Sequence, residues 1–94
     1  MTKAQARQII DSMGLAPDQA AAARRTIRRA TTSEEIDVTL AASGELVVTR
    51  SRAGHVGRQV LEDTIARDGT KRVVQKAFDA AGNLVHIDPK GGTP

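Results

Sequence analysis

Apolar positions along the chain recur first at helical and then at strand spacing. Ala4, Ala6, Ile9, Ile10 and Met13 share one face of a helix expected over about residues 2–13, with Gly14 just beyond its end. Pro17 opens a second helix over about residues 17–30, where Ala20 to Ala23 supply helix propensity. Ile27 is the only large apolar residue in its second half. After the polar break Thr31-Thr32-Ser33-Glu34 the period falls to two, with Ile36, Val38 and Leu40 alternating with Asp37 and Thr39. That predicts a strand over 35–41, followed by strands over 46–51, 58–66, 71–78 and 84–88, and a flexible tail over 89–94. The expected fold class is α+β: two N-terminal helices followed by a four- to five-stranded antiparallel β-meander. The helices pack on one face and the other stays open.

Residues 57–88 set the expected register. Asp68-Gly69 between two β-rich runs predicts a two-residue type I′ hairpin. Arg67 then faces Thr70, Ile65 faces Arg72, Asp63 faces Val74, Leu61 faces Lys76 and Gln59 faces Phe78. Asp79-Ala80-Ala81-Gly82-Asn83 makes the next turn. Pairing Phe78 with Leu84 sets Lys76 opposite His86, a cation beside an imidazole. The face carrying Val60, Glu62, Thr64, Val73, Gln75, Ala77, Val85 and Ile87 has the denser β-branched set and is expected to be the core. That leaves Lys76 and His86 in solvent beside Gln59, over Phe78 and Leu84.

Length and composition narrow the function. Ninety-four residues make one small domain, and Phe78 is the only aromatic residue, so the core is a thin one of Ile, Leu, Val and Ala. Without cysteine there is no disulfide framework, thiol nucleophile or Cys-type zinc site. No stretch reads as a membrane span or signal peptide. The carboxylates form no metal-ligand cluster, and no cofactor motif is present. A net charge of +3 favours a polyanionic partner.

The candidate chemistry rests on His86 and His55, the only histidines, with Lys76, Arg50, Arg52 and Gln59. His55 lies in the Gly-bearing loop Arg50-Ser51-Arg52-Ala53-Gly54-His55-Val56-Gly57. A neutral histidine takes the proton of a ribose 2′-hydroxyl, or its protonated form returns one to the leaving oxygen. Lysine or arginine stabilises the charge on the pentacoordinate phosphorus. The expected roles are His86 and His55 as acid and base in either order, Lys76 with Arg50 or Arg52 on the scissile phosphate, and Gln59 orienting substrate. Arg24, Arg25, Arg28 and Arg29 form a basic ridge on the second helix, and with Arg58 they are candidate substrate contacts. Plainer roles exist for each: an exposed strand histidine, a loop histidine, an edge-protecting lysine, a solvated helix face.

The run Phe78-Asp79-Ala80-Ala81-Gly82-Asn83-Leu84-Val85-His86 resembles the YD-type hairpins of repeat-rich bacterial effectors. The cysteine-free, basic layout of helices before a meander is similar to the toxin domains at the C-terminal tips of bacterial polymorphic toxins. Within those it resembles the superfamily of barnase, EndoU, the colicin E5 and D nucleases and RelE. That resemblance implies a metal-independent ribonuclease that works from the exposed face of its sheet. RelE-like members rely on Arg and Lys; barnase-like members use a Glu with His and Arg, and Glu62 falls here on the expected core face. It also implies an acidic immunity or antitoxin protein as partner, RNA as substrate, and the cytoplasm of a producing or target bacterium as the place of action. The domain is expected to be a monomer on its own. The rival expectation is a non-catalytic module that binds nucleic acid or docks a protein through the arginine ridge; a third is an inert domain of a phage or secretion structure.

Overall fold

The computed structural model describes residues 1–89, so the expected flexible tail lies, beyond Pro89, outside the described residues. Two helices, α1 (Lys3–Ser12) and α2 (Pro17–Arg29), precede five strands: β1 (Glu35–Leu40), β2 (Leu46–Ala53), β3 (Arg58–Ile65), β4 (Lys71–Phe78) and β5 (Leu84–Pro89). The strands form one antiparallel sheet in the order β1-β2-β3-β4-β5, so the α+β arrangement of helices followed by a meander is the fold of this chain.

Local sequence accounts for the helix ends. Thr2 and Gln5 close a capping box on α1: the Gln5 amide donates to the Thr2 hydroxyl oxygen and the Thr2 amide to the Gln5 carboxamide oxygen. Pro17 begins α2, where its missing N–H would have no helical partner. α1 packs against β1 and α2 against β2 and β3. Ala6 and Ile10 of α1, and Ala22, Ala23 and Ile27 of α2, bury against Ile36, Leu46, Val48 and Ile65. Gln19 is buried too, its Nε2 donating to the Gly44 carbonyl at 2.8 Å and the Ile65 carbonyl at 3.0 Å, which pins the start of α2 to one end of the sheet.

The register of β3 and β4 differs by one residue from the sequence expectation. Ile65 faces Lys71, Asp63 faces Val73, Leu61 faces Gln75 and Gln59 faces Ala77. The cause is the turn. Among the described residues none but glycine has positive φ, so Asp68 cannot occupy a type I′ position. Instead Ala66 pairs with Thr70 around a three-residue loop: the Ala66 amide donates to the Thr70 carbonyl and the Gly69 amide to the Ala66 carbonyl, with Gly69 at φ 88°. Ala41–Glu45 and Asp79–Asn83 repeat this turn, with Gly44 and Gly82 as the left-handed residues.

A one-residue slip exchanges sheet faces. The helix-bearing face carries Leu46, Val48, Arg50 and Arg52 of β2 with Gln59, Leu61, Asp63 and Ile65 of β3. The expected core residues Val60, Glu62 and Thr64 lie on the uncovered face. Val73, Gln75 and Ala77 do share the helix-bearing face, but only half-buried.

Candidate nucleic-acid interface

The helices cover only part of their face, and the boundary falls within β2. Leu46 and Val48 are buried, whereas Arg50 is half-buried and Arg52 exposed. Beyond that boundary two rows of side chains cross the open part of the sheet. One runs Arg50, Leu61, Gln75, Asp88; the other runs Arg52, Gln59, Ala77, His86. Glu34, on the segment entering β1, closes the β2 side. Glu34, Arg50, Arg52, Gln59, Leu61 and Gln75 line a cleft of about 190 Å³.

Arg50 is held from below. Its Nη2 donates to Asp63 Oδ2 at 3.2 Å; the Asp63 side chain is fully buried and that of Arg50 is 13% exposed. Arg50 Nε and Asp63 Oδ1 are buried and make no hydrogen bond. Burial pushes the Asp63 carboxyl above its usual range, against the opposing pull of Arg50, Lys71 and Arg29. Arg52 Nη2 donates to Gln59 Oε1 at 3.4 Å, a long bond on an exposed surface.

The β4–β5 turn aims His86. Asp79 Oδ1 accepts from the amides of Ala81 (3.0 Å) and Asn83 (2.9 Å), and these bonds hold its carboxyl below the usual range. Phe78 pairs with Leu84 as expected, but a bulge at Ala77/Phe78 leaves Val85 extra and brings His86 opposite Ala77 instead of Lys76. The adjacent β2–β3 hairpin, where Gly54 donates to the Gly57 carbonyl, carries exposed His55. It meets the β4–β5 corner closely: Gly57 has φ 101°, and a Cβ there would overlap the Phe78 carbonyl oxygen. Arg52, Gln59, His86 and His55 therefore gather at one end of the sheet.

The expected Lys76–His86 pair does not form. Lys76 lies opposite Val60 and Ile87 on the uncovered face, where its Nζ donates to Glu62 Oε2 at 3.1 Å. Arg58 is on that face too, held by Glu35 at 2.9 Å and Ser51 at 3.0 Å. On α2, Arg24 pairs with Asp11 at 2.8 Å, while Arg25, Arg28 and Arg29 are exposed. Arg29, in the last turn of α2, is near enough to act electrostatically on Asp63.

Sequence reasoning did not single out Glu34, Leu61, Asp63 or Gln75. Alternation along β2 held a usable signal, since Leu46 and Val48 give way to Arg50 and Arg52 at the same parity. Among the described residues no group of three or more His, Cys, Asp or Glu is placed to hold a metal ion, and no helix is long and apolar enough to cross a membrane. The chain matches no protein-family model, no curated protein and no solved structure.

Proposed function

We propose that this domain binds single-stranded RNA on the open part of its helix-bearing face and cleaves it there, as a ribonuclease toxin domain does. The observation that carries the reading is the row Arg52, Gln59, Ala77, His86. Ala77 is small, and the strands on either side of it put Gln59 and His86 about 10 Å apart at the backbone. That gap accommodates a phosphodiester with donors on one side and an imidazole on the other.

In the proposed reaction one imidazole, His86 or His55, takes the 2′-hydroxyl proton. The 2′-oxygen attacks phosphorus, the bond to the 5′-oxygen breaks, and the other imidazole protonates that oxygen. Arg52 and the remaining donors of Arg50 stabilise the phosphorane charge. Asp63 keeps the Arg50 guanidinium at the cleft floor. The exposed arginines of α2 extend the path for the RNA backbone. The resemblance to polymorphic toxin tips supports the same reading and suggests an acidic immunity protein that covers this basic surface.

A non-catalytic nucleic-acid module is the second reading, favoured by the exposure of Arg25, Arg28 and Arg29. Mutations separate the two. For an enzyme, Arg52→Ala weakens both binding and cleavage, and His86→Ala removes cleavage alone. For a binding module no cleavage is seen with any RNA, and Arg25→Ala with Arg28→Ala removes binding. Incubating the domain with a labelled single-stranded RNA and resolving the products decides between them.

A further inference from the structure

The cleft has two chemically different sides. Arg50, Arg52 and Glu34 charge the β2 side, and Gln75 presents an uncharged amide on the β4 side. Between them β3 carries Gln59, beside Arg52, and Leu61 as an apolar floor between Arg50 and Gln75. The donors and acceptors still available there form a pattern. A guanidinium only donates, so the Arg52 contact must engage the carboxamide oxygen of Gln59 and leaves its NH2 group free. Gln75 makes no hydrogen bond within the described residues and offers both a donor and an acceptor. Together the two amides can present donor, acceptor, donor.

We infer that Gln75, with Gln59, reads a nucleobase lying on Leu61 and selects one whose edge presents acceptor, donor, acceptor. This rests on the RNA reading above and names its specificity. Adenine offers that order at N7, N6–H and N1, and uracil at O4, N3–H and O2. Cytosine offers acceptor, acceptor, donor, and guanine places two acceptors side by side at N7 and O6. Seated on a cytosine or guanine edge, one of the two amides faces a like group. A good bidentate contact discriminates by roughly tenfold or more. Stacking on Leu61 adds affinity without sequence preference.

The test measures binding of fluorescein-labelled 2′-O-methyl hexamers of uridine, cytidine and adenosine, which keep the base edges but lack the attacking hydroxyl, by anisotropy at one fixed salt concentration. Uracil and cytosine are similar in size, so their comparison isolates the edge contact. The expected result is binding of the uridine and adenosine hexamers about tenfold or more tighter than the cytidine hexamer. Gln75→Leu should bring the uridine-to-cytidine ratio to about one. Gln75→Glu keeps the side-chain length but removes the donor, and it should also abolish the uridine preference. Circular dichroism of each variant reports its folding, and the ratio is read on folded protein. Equal binding of all three hexamers by the wild type overturns the specificity while leaving the RNA site standing. So does a uridine preference that survives in both Gln75 variants. Absence of binding to any hexamer overturns the RNA reading itself.

Discussion

Arg50 Nη2 donates to Asp63 Oδ2 over 3.2 Å, and Asp63 is the one fully buried carboxylate among the described residues. The pair lies where the covered part of the sheet meets the open part, so the group that anchors the cleft floor is itself under α2. Removing Asp63 strands Arg50 as a largely buried cation. Asp63→Ala should destabilise the fold by about 3–5 kcal/mol, the usual consequence of breaking a buried pair, as measured by urea denaturation. Arg50→Leu combined with Asp63→Leu should cost less than Asp63→Ala, because no charge is left unpaired.

The same carboxyl has a pH signature. Burial raises its pKa above the reference of 3.8, so the folded state holds the proton more tightly than the unfolded chain does. This group therefore favours folding most at pH below about 4, and that contribution is lost as pH rises through the raised value. Other carboxylates cancel when wild type is compared with Asp63→Asn. The stability of wild type relative to this variant should fall as pH rises from the acid range toward neutrality. A relative gain with rising pH would contradict the burial argument.

Gly57 joins two hairpins. At φ 101°, with the Phe78 carbonyl in the space of a Cβ, any side chain must push the β2–β3 loop off the β4–β5 corner. Gly57→Ala should cost roughly 1–3 kcal/mol or more from backbone strain alone. It should also weaken any RNA cleavage, because His55 and His86 lie on either side of that contact. Thermal melts and an activity assay of the same variant check both effects. Gly82→Ala is the comparison: its φ of 87° is strained but open space surrounds it, so its loss of stability should be smaller.

The order of elements was legible in the sequence because each local signal agreed with its neighbours: the change of period at Glu35, the glycines in the turns, Pro17 at a helix start. The faces were not. A type I′ turn and the observed three-residue turn both use Asp68-Gly69, and they differ by one residue of register. The repeat of Gly at the fourth position of Ala41–Glu45, Ala66–Thr70 and Asp79–Asn83 was the available clue. The bulge at Val85 had no comparable mark. Arg50, Arg52, Gln59 and His86 still came together on one face, although Lys76 and Arg58 went to the other. Where the covered part of the face ends depends on how α2 lies across β2 and β3, which no local pattern encodes.

Salt separates an electrostatic site from a docking face. If several phosphates sit on Arg50, Arg52 and the α2 arginines, log affinity for RNA should fall linearly and steeply with log salt, by counterion release. Arg52→Ala should make that slope shallower, by about the contribution of one phosphate contact. A flat dependence would show that the arginines do not hold phosphates.

If the working face is the helix-bearing one, substitutions of His86 and Lys76 should have opposite consequences. His86 stands on that face beside Ala77, while Lys76 stands on the other, paired with Glu62. Both are strand residues of neighbouring position; His86 is exposed, and the half-buried Lys76–Glu62 pair still reaches solvent and contributes on the order of 1 kcal/mol, so the fold should survive either change. RNA cleavage is measured for His86→Ala and Lys76→Ala under one set of conditions. His86→Ala should lose about a hundredfold or more in rate, as expected for a general acid or base, with RNA affinity nearly retained, and Lys76→Ala should cleave like wild type. Full cleavage by His86→Ala together with a loss in Lys76→Ala would place the site on the uncovered face instead.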